Sequence, residues 1–193
     1  MSFQITFNGP VNDNDYYFVP IDVVGGGPGP VPLFPSLPGQ GWLTSSDGST
    51  QGATHFVEYH QRQYLVYQII SIAPFQTQLI GAPVRYTLPN PGDATLGFTI
   101  DLNQIGAVNT SVDVNIITTD HPFDVVRLID ALGPTGHNFI NVDITTSRTV
   151  SNADTAIEQA GDVMDQNRNV QPVNDQTRPL DIIDWTITTN INQ

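Results

Sequence analysis

Tyr64-Leu65-Val66-Tyr67-Gln68-Ile69-Ile70-Ser71-Ile72 is the stretch on which the fold turns. Aromatic and β-branched side chains dominate it, and residues of both parities are apolar. A run of that kind and length suits a central strand covered on both faces. One of those faces is a candidate subunit contact, so Tyr64, Tyr67 and Ile69 are interface candidates. Tyr16-Tyr17-Phe18-Val19 has the same two-sided character over a shorter span.

Outward from these two segments the chain alternates apolar and polar residues with a period of two. Phe3, Ile5 and Phe7 share a face against Gln4 and Thr6, and Val112, Val114 and Ile116 do so against Asp113 and Asn115. Ile140, Val142 and Ile144 alternate with Asn141 and Asp143, and Ile183, Trp185 and Ile187 with Asp184 and Thr186. These are half-buried strands. With His55–His60, Gln76–Ile80, Val84–Leu88 and Leu96–Asp101, the count reaches roughly nine or ten, spaced as in an antiparallel β-sandwich or jelly roll. The fold class expected is mainly β, a single domain over 1–193.

Two short helices are expected between strands. Asp120-His121-Pro122 makes a good start, Val125, Val126, Leu128, Ile129 and Leu132 an apolar stripe, and Gly133-Pro134 a stop. Ser151 with Asp154 three residues on opens a second, running through Ala156, Ile157, Ala160 and Val163. A proline- and glycine-rich segment at about 24–41 supports neither helix nor central strand. Its Val31, Leu33, Phe34 and Leu37 are too apolar for a solvated tether and mark an arm lying on a neighbouring surface. A polar loop is expected at about 165–178.

At 193 residues, the chain is long enough to bury a core without staples, and it has no cysteine. Nothing at Met1–Phe7 resembles a signal peptide, and no stretch approaches the ~20 apolar residues of a membrane span, so no membrane insertion is expected. The net charge is −13, from 19 acids against six arginines and no lysine; only Glu58 and Glu158 are glutamates. Such a surface repels phosphate backbones and argues against direct nucleic-acid binding. Two explanations of the acidity stand: adaptation to high salt, where screening suppresses self-repulsion, and the appetite of a turn-rich β protein for Asp and Asn.

No chemical motif emerges, and neither a cofactor nor an enzymatic activity is expected. His55 and His60, at odd separation in a strand, face opposite ways and cannot share a metal, whereas Glu58 and His60 form a surface pair. His121 and His137 have no partner motif. Ser45, Ser46 and Ser49 lie near a turn at Asp47-Gly48 without a nucleophile elbow. Gly25-Gly26-Gly27 runs into proline rather than a helix and cradles no phosphate. Asp13 and Asp15 open like a calcium loop, but the glycine and distal glutamate of such a loop are absent, which leaves them weak metal candidates. Asn109-Thr110-Ser111 is an isolated sequon. Trp42, Trp185 or a tyrosine would be needed to stack on a sugar in a carbohydrate-binding sandwich, and scattered acids would have to converge in a hydrolase.

Many strands in one domain, a doubly apolar strand, an apolar arm and an acidic, lysine-free composition together resemble virion structural proteins. The closest likeness is to the small single jelly-roll capsid proteins of halophilic archaeal viruses. That resemblance implies a capsid subunit, or a decoration or tail component, located in the virion. Its partners would be copies of itself and other virion proteins, with cations bound between carboxylates at subunit contacts.

Overall fold

The computed structural model describes residues 1–24, 29–30, 52–72, 75–121, 128–133, 139–161 and 172–191. The strands are β1 (Ser2–Phe7), β2 (Tyr16–Asp22), β3 (His55–His60), β4 (Gln63–Ile72), β5 (Phe75–Gly81), β6 (Arg85–Thr87) and β7 (Thr95–Thr99). Then follow β8 (Ser111–Val114), β9 (Ile117–Thr119), β10 (Leu128–Ala131), β11 (Ile140–Asp143), β12 (Arg148–Ser151) and β13 (Ile182–Thr189). The first sheet has the order β12-β13-β1-β7-β6. The second runs β10-β9-β2-β3-β4-β5, with β8 joining β2 to β11. All pairings among the described strands are antiparallel. The fold is a mainly β, two-sheet antiparallel sandwich.

Its principal core lies between the sheets. Phe3, Ile5 and Phe7 of β1, Leu96 and Phe98 of β7, and Trp185 and Ile187 of β13 meet Tyr17, Val19, Tyr59, Tyr64 and Val66 from the second sheet. Phe3 stacks on Phe98 at 4.8 Å, and Phe7 meets Tyr17 edge-on at 4.9 Å. A smaller cluster covers the outer face of the second sheet, with Phe18, Phe56, Ile69 and Ile117 buried and Tyr16, Tyr67 and Phe75 packed against them. Two clusters on opposite faces explain why β2 and β4 are apolar on both sides.

The strand covered throughout is β2, where every residue after Tyr16 is buried. β4 sits second from an edge: Tyr64 and Val66 enter the main core and Ile69 the outer cluster, but Ile70 is 53% exposed. β4 is thus an interior strand, paired on both edges and covered on both faces along most of its length, with Ile70 as the exception. Beside β2, β8 and β9 act as one interrupted strand. They pair with β2 at Ile21↔Val114 and at Phe18↔Ile117, and the ladder breaks at Asn115-Ile116, beside Pro20. Proline has no N–H to give to a ladder. The Asn115 side chain bridges the gap: its Oδ1 accepts from Ile116 N (2.7 Å) and Leu132 N (3.2 Å), and its Nδ2 donates to Pro30 O (2.8 Å).

Both helix expectations need correction. Leu128–Ala131 is strand β10, paired with β9; residues 122–127 lie outside the described ones. Asp130 decides the outcome. It is buried, and its carboxylate accepts from its neighbour Ala131 N (2.9 Å) and from Ile182 N (2.7 Å) across the fold, bonds that compete with a helix ladder. Ala131 then enters the outer cluster and Leu132 the main core, which is strand alternation. The second helix starts as expected, with the Asp154 carboxylate accepting from Ser151 N and Oγ at 2.8 and 2.9 Å. It is a single turn, α1 (Asn152–Thr155). Ala156 turns left-handed at φ 52°, and the Asn152 amide clasps Glu158 N and O at 2.9 and 2.8 Å, closing the turn instead of extending it.

β13 departs by one residue. A bulge opposite Thr6/Phe7 pairs Phe7 with Ile182, so Ile182 joins Trp185 and Ile187 inside while Ile183 is half-buried. Of the arm expected at about 24–41, Val24, Gly29 and Pro30 are described. Val24 is exposed, whereas Gly29 and Pro30 are buried. Gly29 has φ 70°, and a Cβ there would lie 2.7 Å from the Phe139 ring. Gly29→Ala should therefore cost about 1–3 kcal/mol, both for its positive φ and for the collision, as chemical denaturation would measure. Of the polar loop expected at about 165–178, residues 172–178 are described: Asn174 Oδ1 accepts from Gln176 N and Thr177 N, leading to a 3-10 turn at Arg178–Leu180.

Candidate functional site

β5 closes one end of the second sheet, and its residues Gln76, Thr77, Gln78 and Leu79 are all exposed. Among the described strands none pairs with its outer side. Two of the seven exposed large apolar side chains of the described residues lie on β4 and β5, namely Ile70 (53%) and Leu79 (53%). The sequence carries no charged residue from Gln63 to Val84, in a chain of net charge −13. Open edge strands elsewhere in proteins are blunted by lysine, proline, inward charge or a bulge turned away from solvent. The other sheet ends hold charge: Asp130 in β10, Arg85 in β6 and Arg148 in β12. β5 has none. Its backbone is a template for a further strand, with the irregularities of its pairing at Val66/Tyr67 and Ile69/Ser71 lying on the side that faces β4.

The predicted contact residues divide around this edge. Tyr64 is buried in the main core, against Tyr59 (4.8 Å) and Tyr86 (5.3 Å). Ile69 is buried in the outer cluster. Tyr67 is half-buried there, stacked on Phe56 at 4.9 Å and paired in register with Leu79. Tyr67 thus borders the open edge while Tyr64 and Ile69 support it from beneath. Val31, Leu33, Phe34 and Leu37 lie outside the described residues, as do Trp42, Ser45, Ser46, Ser49 and His137. The stretch 23–46 that holds the arm is also free of charge. Sequence reading missed Leu79 and Ile70, because which strand forms the edge is set by long-range pairing.

Asp13 and Asp15 stand in the turn before β2 and engage different partners. Asp13 accepts the Tyr59 hydroxyl and an Arg62 N–H at 3.3 Å. Asp15 is buried, and its carboxyl is pushed up to about 6, chiefly by burial and further by Asp120, against the Asn12 hydrogen bond and His60. Its Oδ2 has no hydrogen-bond partner among the described residues. Among the described residues no group of three His, Cys, Asp or Glu is placed to hold a metal ion. Because the folded pKa lies above the unfolded one, the folded state binds the extra proton, and stability present at low pH is lost as pH rises through about 6. Asp15→Asn should thus raise stability by about 1–2 kcal/mol at about pH 8 and change it little at about pH 4, read by thermal melts at both.

The histidines lie as their spacing requires. His55 is buried on the inner face beside Thr54 Oγ1 (3.0 Å), and burial lowers its pKa. His60 faces outward, stacked on Tyr16 at 3.8 Å, with Nδ1 donating to Asp15 O at 3.0 Å. Glu58 shares that outer face, its pKa raised by burial. His121 lies 3.6 Å from Asp120. Trp185 is 1% exposed and belongs to the core, not to a sugar platform. The Asn109 amide donates to Val23 O and Val24 O at 2.8 and 2.7 Å, so the sequon nitrogen is engaged in the fold. Asp22 and Asp113 oppose each other directly across β2 and β8, both buried, with Asn141 donating to Asp113 at 2.6 Å. Burial and the charge of Asp22 raise the pKa of Asp113.

The chain matches no family model, and neither the curated proteins nor the solved structures compared with it provide a match. Function therefore has to be argued from this molecule alone. No helix among the described residues is long and apolar enough to cross a membrane.

Proposed function

We propose that this protein is a structural subunit that works by assembling with copies of itself, and in the finer reading a capsid or capsid-associated protein of a virion. The observation that carries the proposal is the open, charge-free β5 edge with Ile70 and Leu79 half exposed beside it. Two copies carrying −13 each repel almost everywhere they approach. Along β5 they meet no carboxylate of that edge, and antiparallel β5–β5 pairing about a two-fold axis would join two second sheets into one. A two-sheet sandwich is also the frame a jelly-roll shell subunit needs. Other virion proteins and the charge-free stretch 23–46 are further contact partners under this reading.

Salt should control the assembly. Screening between about 0.1 and about 3 M salt shrinks the reach of the surface carboxylates to a few ångströms. Sedimentation velocity over that range is expected to show a discrete oligomer or larger particle that grows with salt. A monomer throughout contradicts the proposal.

A further inference from the structure

The outer face of the first sheet has a different character from the β5 edge. Register brings hydroxyls side by side across it: Thr149↔Thr188, Thr188↔Ser2 and Ser2↔Thr99 form one row that ends at Arg85. The next row is Ser151, Thr186, Gln4, Gly97 and Thr87. Ser2 and Thr99 hydroxyls lie 2.9 Å apart and those of Thr149 and Thr188 3.1 Å apart, which fixes their orientation. The centre of this face is a concavity of about 640 Å³, bordered by Tyr86 and Pro89 on one side and Thr186 and Thr188 on the other. That is the size of a small-ligand cleft.

Gly97 lies in its floor and is unexplained by the fold. Its φ is not in the left-handed region, and a Cβ added there would meet only Phe3 O, at 3.9 Å. Glycine inside a strand sacrifices roughly 0.5–1 kcal/mol relative to alanine. Its usual physical reason is the close approach of another backbone or a ligand. Among the described residues no atom takes the space. Arg85 is a second unspent group: it makes no ion pair among the described residues, although the chain has 19 acids and six arginines. The two rows hold hydroxyl, amide and guanidinium groups, and the carboxylates beside them are engaged within the chain: Asp93, which borders the concavity, accepts from Asn90 N and Nδ2 at 2.8 and 3.1 Å, and Asp184, in the next row, accepts from Trp185 N at 2.9 Å.

We infer that this concavity is a binding site for an uncharged glycan segment of two or three sugar units. Hydroxyls and the Gln4 amide each donate and accept, which matches the mixed donors and acceptors of a polyol. Gly97 lets a sugar ring settle onto the backbone between Gln4 and Thr87. Arg85 adds unclaimed donors at the end of the row, and Pro89 and Ala94 border the cleft with apolar atoms for sugar C–H groups. The site is on the opposite sheet from β5, so it stands or falls independently of self-assembly.

The test is a titration of ¹⁵N-labelled protein with cellotriose, maltotriose, chitotriose and N-acetyllactosamine, beside Gly97→Thr and Arg85→Gln. The expected result is saturable binding of at least one sugar with shifts at the amides of β1 and β7. Gly97→Thr should weaken it at least tenfold while leaving the melting temperature equal or higher, because the added side chain fills open space and favours a strand. Arg85→Gln should weaken it by less. Failure of all four sugars to bind, binding that Gly97→Thr does not change, or an effect of Gly97→Thr on sedimentation alone would each overturn the inference, the last by making the groove a contact between copies.

Discussion

Lysine at Thr77 and Leu79 together should leave a folded monomer under conditions where the unsubstituted chain associates. Both positions are exposed on β5, so neither substitution disturbs the core; the stability cost should stay near 0.5–1 kcal/mol, that of surface positions. Edge lysines oppose strand addition because their charge must be desolvated against the incoming backbone. Association should weaken at least ~100-fold, about 2.7 kcal/mol. The sign of the charge change makes the result discriminating. Two added lysines make a −13 chain less negative, which by itself favours approach of two copies. Loss of association would therefore report the edge itself, and sedimentation equilibrium of the double variant checks it. Lysine at Thr87 of β6 and Thr149 of β12, which adds the same two charges at exposed positions of the other sheet, should leave association unchanged.

Asn115→Ala should be among the most destabilising single changes available, by about 3–5 kcal/mol, because a fully buried amide that serves three backbone groups is lost at once. Ile116 N, Leu132 N and Pro30 O each forfeit that partner, at the point where β8 and β9 part beside Pro20. Asn115→Asp keeps the acceptor but forfeits the bond to Pro30 and buries a charge, so its cost should shrink as the pH is lowered. Urea denaturation of both variants measures this. Equal stability of all three proteins would show that the break in the strand does not depend on the side chain.

Most of the β framework was legible because β1, β7, β11 and β13 alternate between a buried face and a more exposed one. Phe3/Ile5/Phe7, Val112/Val114/Ile116 and Ile140/Val142/Ile144 are buried as their alternation implies. The misreadings share a cause, which is side-chain bonding that periodicity does not register. Asp130 looked like the polar face of a helix and instead binds Ile182 N across the sandwich. Asn152, the first residue after the Ser151 cap, closes a single turn by clasping Glu158 where the apolar spacing of Ala156, Ile157, Ala160 and Val163 implies a longer helix. β12, with Val150 as its one buried apolar residue, offered no pattern to find.

The candidate sites were less legible than the fold. Tyr67 stood out in sequence, but Leu79 and Ile70 gained meaning only once β5 proved to be an edge. The glycan groove left no linear trace at all, since Ser2, Gln4, Thr99, Thr186 and Thr188 are ordinary wet positions on three strands. Registering those strands is what gathers them around Gly97.

The most direct measurement is hydrogen–deuterium exchange of peptides covering 75–81 as the protein is concentrated from dilute solution at high salt. Self-assembly through β5 predicts that these amides, free of a partner strand on one side, become protected as concentration rises, and that lysine at Thr77 and Leu79 abolishes the protection. Equally fast exchange at every concentration, or protection confined to other segments, would contradict the claim that this edge is where the copies join.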